Sequence, residues 1–324
     1  MRLGRSDIKG IVGIVPTPAT PDAASWKSGN TINFRETVKM VEAVAGGGVD
    51  ILMTTGTFGE CATLTEEELL GFVACVVETT KKRAPVFAGV TTLNTRDTVA
   101  RGRKLLERGA DGLFLGRPMW LPLDDKGILR FYTDMAEAFP GVPLVVYDNP
   151  GPFKGKIGTE LYKALAKIPE VVASKHVGGP ALETDVMAVG DQIALLPLEM
   201  DWYDIVHKHP DRVPACWSGN VACGPASIVA LRRAIQARDW TNAKRISDRI
   251  VWALHPQLGG DMARFMSYSI PIGHGRFRTA GLFDPGPTRP PYIDAPADLI
   301  AGGEETGRRF AQLQKEFAAE AVAG

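Results

Sequence analysis

The sequence has no surplus of charge, few cysteines and no long apolar run, and each shortfall removes a class of protein. Lys plus Arg number 37, and so do Asp plus Glu. No basic face is therefore expected for a nucleic-acid backbone, and no acidic tail for a polycationic partner. A small neutral or weakly charged ligand is the expectation that remains. Cys61, Cys75, Cys216 and Cys223 have neither zinc-site spacing nor the density of a secreted disulfide scaffold, so buried reduced thiols are expected. His176, His207, His209, His255 and His274 are scattered, with no H-x-x-E pair among them, and surface or core-satisfied histidines rather than the metal site of a barrel hydrolase are expected. Nothing stays apolar for the roughly 18 residues that a bilayer crossing requires. The N-terminal MRLGRSDIKGIVGIV lacks the apolar core and small-residue cleavage site of a leader. A cytoplasmic protein without a membrane partner is the expectation.

What the chain does have is a series of short apolar runs. They are IVGIV at 11–15, VDILM at 49–53, PVFAGV at 85–90, DGLFLG at 111–116, PLVVYDNP at 143–150, VVASK at 171–175, IALLP at 193–197 and VPACW at 213–217. Amphipathic stretches such as FRETVKMVEAVAGGG and TRDTVARGRKLLERGA lie between them, apolar at three- and four-residue spacing and ending in glycine before the next run. AVAGGGVDILMTTG and LLERGADGLFLG look like two copies of one helix–Gly–strand unit. Runs that are almost wholly apolar fit parallel strands covered on both faces. The fold class predicted is α/β: a (β/α)8 TIM barrel over 1–236 with a C-terminal helical extension over 237–324, the latter including the Pro-rich FDPGPTRPPYID. A doubly wound open sheet is the alternative architecture, and no G-x-G-x-x-G follows the first run to favour it.

In such a barrel chemistry sits at the C-terminal strand ends. Those positions hold Thr17, the GTFGE loop at 56–60, Trp120, YDNP at 147–150, Lys175 and Trp217. A lysine closing an apolar run presents its amine to a partly desolvated cavity, where burial lowers its pKa and frees a nucleophilic lone pair. The same lysine taken alone would equally snorkel to solvent or pair with a carboxylate. Tyr147 ends the neighbouring run, close enough to shuttle protons. GTFGE sets two glycines around a hydroxyl, exposing backbone N–H groups beside Thr57 that suit a carboxylate, although a tight turn leading to a Thr65/Glu68 capping box explains the same residues. Glu199 and Asp201 are placed to start the next helix or to form an acid/base pair.

GTFGE after strand two, the tyrosine of YDNP after strand five and the lysine ending strand six together resemble the dihydrodipicolinate synthase and N-acetylneuraminate lyase superfamily. That resemblance implies a Schiff base between Lys175 and pyruvate, proton relay by Tyr147, a carboxylate held at Thr57, and no cofactor beyond the covalent imine. Phe58 replaces the second hydroxyl of the usual loop, and RPMWLP after strand four lacks a paired tyrosine, which argues against lysine biosynthesis. Trp120, Trp217 and Asn149 would suit a flat aromatic substrate with a polar group nearby. With PTPATPDAASW, GTFGECATLT and GPTRPPY, the chain resembles the hydratase-aldolases of polycyclic aromatic degradation almost end to end. These act on trans-o-hydroxybenzylidenepyruvate or trans-2'-carboxybenzalpyruvate. The resemblance implies hydration and aldol cleavage to an aromatic aldehyde and pyruvate, with Asn149 orienting the water, and a homotetramer. The hydroxybenzylidene type carries asparagine where this chain has Ser269, which favours a carboxylated ring. Arg276 and His274 are candidates to reach that carboxylate, with no spacing argument for either. The alternatives are a pyruvate lyase or dehydratase acting on sugar acids, and a non-catalytic ligand-binding barrel.

Overall fold

The computed structural model describes residues 3–258 and 260–323. Met1 and Arg2, which open the stretch weighed as a leader, lie outside the described residues. Strands and helices alternate through the first half of the chain: β1 (Gly10–Ile14), α1 (Phe34–Gly46), β2 (Ile51–Met53), α2 (Glu66–Thr80), β3 (Val86–Gly89), α3 (Thr95–Glu107), β4 (Gly112–Leu115) and α4 (Asp125–Ala138). The pattern continues with β5 (Leu144–Tyr147), the single turn α5 (Pro150–Phe153), α6 (Thr159–Leu165), β6 (Val171–Lys175), α7 (Leu182–Val189), β7 (Ala194–Leu196), α8 (Glu199–Lys208), β8 (Ala215–Ser218) and α9 (Ala226–Gln236). All pairings are parallel, in the order β7-β6-β5-β4-β3-β2-β1-β8. The seam closes beyond β7, where the Trp217 N–H donates to the Pro197 carbonyl at 2.8 Å. The result is the TIM barrel expected.

Each strand is buried on both faces, which is why the runs show no polar alternation in sequence. The pleat nevertheless sorts them by parity. Ile51 and Met53, Val145 and Tyr147, Ala194 and Leu196, and Ala215 and Trp217 form the barrel interior. Leu52, Val146, Leu195 and Cys216 face the helical ring. Lys175 falls two residues after inward Ala173, so the alternation that packs the interior delivers its amine to the mouth.

The helices start where side chains satisfy their first free N–H groups. Asn33, Asn94 and Asp124 accept from the third residue beyond them in α1, α3 and α4. Thr65 and Glu68 form the capping box expected for α2. Glu199 and Asp201 do open a helix, α8. The thiols of Cys61, Cys75, Cys216 and Cys223 are free, and burial pushes that of Cys61 up to about 11.

Beyond α9 come α10 (Trp240–Leu258), α11 (Met262–Ser267), α12 (Ser269–Ala280) and α13 (Ala297–Ala323). α10 packs on α8 and α9, while α13 contacts α9, α10 and α12. α10, α11 and α12 then reach over the C-terminal end of the barrel. Among the described residues, no helix is long and apolar enough to cross a membrane.

Candidate active site

A cavity of about 300 Å³ opens at the C-terminal end of the barrel. Lys175, 5% exposed, stands in its floor, with Nζ 3.5 Å from the centre of the Trp217 ring and 5.0 Å from that of Tyr147. Burial lowers its pKa to about 7, partly opposed by the charges of Asp148 and Glu199. An amine that is substantially unprotonated at neutral pH and held against an indole face is a nucleophile. The indole is fixed in turn by its own N–H, which donates to the His176 carbonyl at 2.9 Å.

Tyr147 pairs in register with Lys175 across β5 and β6. Its hydroxyl lies 2.7 Å from Thr57 Oγ1 and accepts from the Thr57 N–H at 3.3 Å and from Asn149 Nδ2 at 3.2 Å. Its ring stacks on Phe114 with centres 4.4 Å apart and meets the Phe153 edge. Burial raises the phenol pKa, and the bonds from Thr57 and Asn149 oppose that rise. The group rests as a phenol whose oxygen is already surrounded by donors, ready to give a proton and to carry the charge left behind. Asn149 also caps α5, accepting from the Gly151 N–H at 3.3 Å. One amide side chain thus fixes both the strand-five loop and the tyrosine.

The GTFGE loop is shaped by close approach. A Cβ on Gly59 would sit 2.6 Å from the Thr55 backbone nitrogen, so only glycine allows this path. Of the backbone donors expected to cradle a carboxylate, the Thr57 N–H is engaged by Tyr147, whereas the Phe58 N–H has no hydrogen-bond partner among the described residues. Thr17 does not line the cavity; its hydroxyl donates to the Gly59 carbonyl at 2.8 Å and holds the loop from below. Glu60, fully buried, accepts from Arg289 Nη1 at 2.9 Å and lies 2.8 Å from His274 Nε2. Burial opposes ionisation of Glu60, but the His274 bond and the Arg289 charge hold its carboxyl below the usual range.

Thr57, Phe58, Asn149, Trp217 and Ser269 all line the cavity with Lys175 and Tyr147. Trp120 does not. β4 ends at Leu115, and the loop beyond it carries the Trp120 side chain out to 74% exposure, with its carbonyl tied to Lys154 Nζ at the end of α5. His274 also faces away, bound to Glu60 and to the Gly286 carbonyl, whereas Arg276 lines the cavity.

The sequence reading missed most of the roof. Leu254, Gln257 and Leu258 of α10, and Met262, Phe265 and Met266 of α11, cover the mouth. The signal was present: 262, 265, 266, 269, 273 and 276 fall on one helical face of mostly apolar or small residues. Among the described residues, no group of three or more His, Cys, Asp or Glu side chains is placed to hold a metal ion.

Lys175 and Tyr147 end the adjacent strands β6 and β5, with the glycine-flanked Thr57 loop after β2 bonded to Tyr147, and residues 11–197 match the dihydrodipicolinate synthetase family. The chain belongs to that family. Within the dihydrodipicolinate synthetase family, it is 49% identical to the trans-2'-carboxybenzalpyruvate hydratase-aldolase of Nocardioides sp. (strain KP7), over 97% of this chain and 96% of that protein. It is 39% identical to the trans-O-hydroxybenzylidenepyruvate hydratase-aldolase of Pseudomonas aeruginosa, over 98% and 97%. A solved structure of PhdJ bound to a substrate intermediate superposes with a TM-score of 0.96 at 54% identity, covering 98% of this chain and 99% of that one. Membership in this family makes the chain a lyase-type enzyme on a TIM barrel.

Proposed function

We propose that this protein is a class I hydratase-aldolase that adds water to an ortho-substituted trans-benzylidenepyruvate and cleaves the product to an aromatic aldehyde and pyruvate. The observation that carries the reading is Lys175, its amine lowered to about 7 and lodged against Trp217, one strand from Tyr147. The near-complete similarity to hydratase-aldolases supports the substrate class, and 49% identity to the carboxylated type favours a ring carboxylate over a hydroxyl.

Neutral Lys175 attacks the keto carbon, and the carbinolamine loses water to give a protonated imine. That imine, conjugated to the alkene, draws electrons from the benzylic carbon and makes it electrophilic toward water. Asn149, whose Nδ2 donates to the Tyr147 hydroxyl at 3.2 Å, is the side chain assigned to orient this water. Water adds its hydroxyl to the benzylic carbon and its other proton to the adjacent carbon, which restores the imine. Tyr147, left as a phenolate by giving its proton to the hydroxyl that departs from the carbinolamine as water, then takes the proton of the new hydroxyl as the carbon–carbon bond breaks, and the electron pair moves into the imine to form an enamine. The aldehyde leaves; protonation and hydrolysis release pyruvate and restore Lys175. One water is consumed overall. No cofactor is required beyond the imine. The substrate's keto-acid carboxylate would lie beside Thr57 and the free Phe58 N–H. Phe58, Leu198, Leu254 and Phe265 provide the apolar walls an aryl group needs, which a polyhydroxylated sugar acid would not use.

The same family membership supports a cytoplasmic homotetramer acting in aromatic catabolism, for which sedimentation at the mass of four chains is the check. Turnover of trans-2'-carboxybenzylidenepyruvate to 2-carboxybenzaldehyde and pyruvate tests the activity, and borohydride reduction with pyruvate tests the chemistry. The expected adduct maps to the peptide containing Lys175. An unmodified Lys175 beside active enzyme would remove the mechanism.

A further inference from the structure

Arg276 is a cation buried at the cavity wall without an ion-pair partner among the described residues. It is 1% exposed, sits on α12 and lines the cavity with Lys175. Its Nη1 donates to Asn220 Oδ1 at 2.7 Å and to Gln257 Oε1 at 3.1 Å, both neutral acceptors. Its Nε and Nη2 have no hydrogen-bond partner among the described residues. Nor does any carboxylate pair with it directly there: Glu199 reaches it only across the Asn220 side chain, whose Nδ2 donates to Glu199 Oε1. Guanidinium is costly to bury with donors unmet, so an anion that completes the set is the natural occupant of the space beside it.

The geometry fixes which edge is offered. The Phe58 and Phe277 rings lie 4.9 and 4.6 Å from Arg276 Cζ. With Nη1 pinned on Asn220 and Gln257, the guanidinium is held in one orientation. Added Cβ atoms on Gly219 and Gly273 would each come 3.9 Å from Nη2, so glycine at both positions keeps side chains off this buried, unpaired nitrogen. Gly219 lines the same cavity. Ser269, Gly273 and Arg276 stand at i, i+4 and i+7 on α12, and long helical side chains lean toward the N-terminus, which brings the Arg276 head back toward Ser269. The Ser269 hydroxyl, in the cavity wall, makes no hydrogen bond among the described residues.

We propose that Arg276, through its unpaired Nη2, binds a carboxylate carried on the aromatic ring of the substrate and so selects dianionic aryl keto acids over neutral-ring ones. The proposal rests on the hydratase-aldolase reading above. A benzylidenepyruvate is rigid and conjugated, so its keto-acid carboxylate and a ring carboxylate cannot share one set of donors. The first has the Phe58 N–H beside Thr57, and Arg276 serves the second. Phthalate-like charge on the ring would then complete the Glu199–Asn220–Arg276–Gln257 chain rather than break it.

The test compares kcat/KM for trans-2'-carboxy-, trans-2'-hydroxy- and unsubstituted trans-benzylidenepyruvate in wild type, Arg276→Lys and Arg276→Met. Removing one partner of a buried charge pair implies that the carboxy-to-unsubstituted ratio falls roughly 30-fold or more in Arg276→Met. Arg276→Lys should keep part of the preference, since it retains the charge but not the planar fork. A loss of folded protein cancels in this ratio. An unchanged ratio in Arg276→Met overturns the proposal, as it would mean that Arg276 serves the keto-acid end or the fold alone. If wild type turns over none of the three substrates, the functional reading has failed. The site is then judged by calorimetry with 2-methylbenzoate, a carboxylated ring without a carbonyl. Binding to wild type that is weakened in Arg276→Met upholds the anion site, and equal binding or none overturns it.

Discussion

At the scale of single residues, the site is governed by where charge is allowed to be. Lys175 is surrounded by aromatic faces and two buried carboxyl groups. Burial raises both of these, Glu199 to about 7, with Arg117 opposing the rise at Asp148, 3.6 Å away, and Asn220 opposing it at Glu199. Below about pH 7 the amine carries a proton and cannot attack; above it the lone pair is free. The rate of pyruvate adduct formation, trapped with cyanoborohydride, should therefore rise with pH through an inflection near 7. Glu199 favours the ammonium form, so Glu199→Gln should move that inflection to lower pH, while Gln still accepts from Asn220. An inflection above pH 9 in the wild type, or a shift to higher pH in the variant, would contradict the assignment of these charges. Burial alone can activate the lysine, with the carboxyls setting how far.

At the scale of elements, three short motifs separated in sequence turn out to be one structure. Arg289 of GPTRPPY donates from Nη1 to the Thr17 carbonyl and Glu60, from Nη2 to the carbonyls of Pro18 and Thr31, and from Nε to the Thr31 hydroxyl. PTPAT after β1, GTFGE after β2 and the Pro-rich segment before α13 are thereby locked around a single buried guanidinium. Arg289→Met leaves Glu60 buried beside His274 without its strong cation, a loss expected to cost about 3–5 kcal/mol. The urea midpoint should fall accordingly, and adduct formation at Lys175 should weaken as the Thr57–Phe58 loop loses its anchor. A midpoint within experimental error of wild type would mean that the network contributes little to holding the loop. The strands, and Lys175, Tyr147 and Thr57 at their ends, were legible because a parallel barrel encodes them locally, as apolar runs with chemistry at one end. Trp120 was placed wrongly from the same signal, since RPMWLP continues past the end of β4 and sequence does not show where a strand stops and its loop leaves the barrel. Arg289 was not legible as a partner of the loop, because a charged residue between helices looks solvent-exposed until the fold supplies its distant acceptors, and for Arg276 the sequence offered only a candidacy shared with His274, since no spacing showed which of the two faces the cavity.

At the scale of the whole molecule, the division between a barrel over 1–236 and helices over 237–324 marks a change of pattern along the chain, but the cavity spans it. Lys175, Tyr147, Thr57 and Trp217 come from the barrel, whereas Leu254, Gln257, Phe265, Ser269 and Arg276 come from beyond it. The dependence also runs the other way. α9 buries Leu231 and Ile235 in a core shared with Ile246, Ile250, Phe310 and Leu313 of α10 and α13, and Glu60 relies on Arg289. A chain ending at Gln236 would therefore expose that apolar face and strand a buried carboxylate, two of the mechanisms behind large losses of stability. Residues 1–236 expressed alone should show no cooperative urea transition and no pyruvate adduct at Lys175. If the truncated chain unfolds cooperatively and still forms the adduct, the barrel is an autonomous catalytic unit and the helices only refine its pocket. If it does neither, the two parts form one cooperative fold, in which the segment that closes the pocket over the substrate also makes the barrel stable.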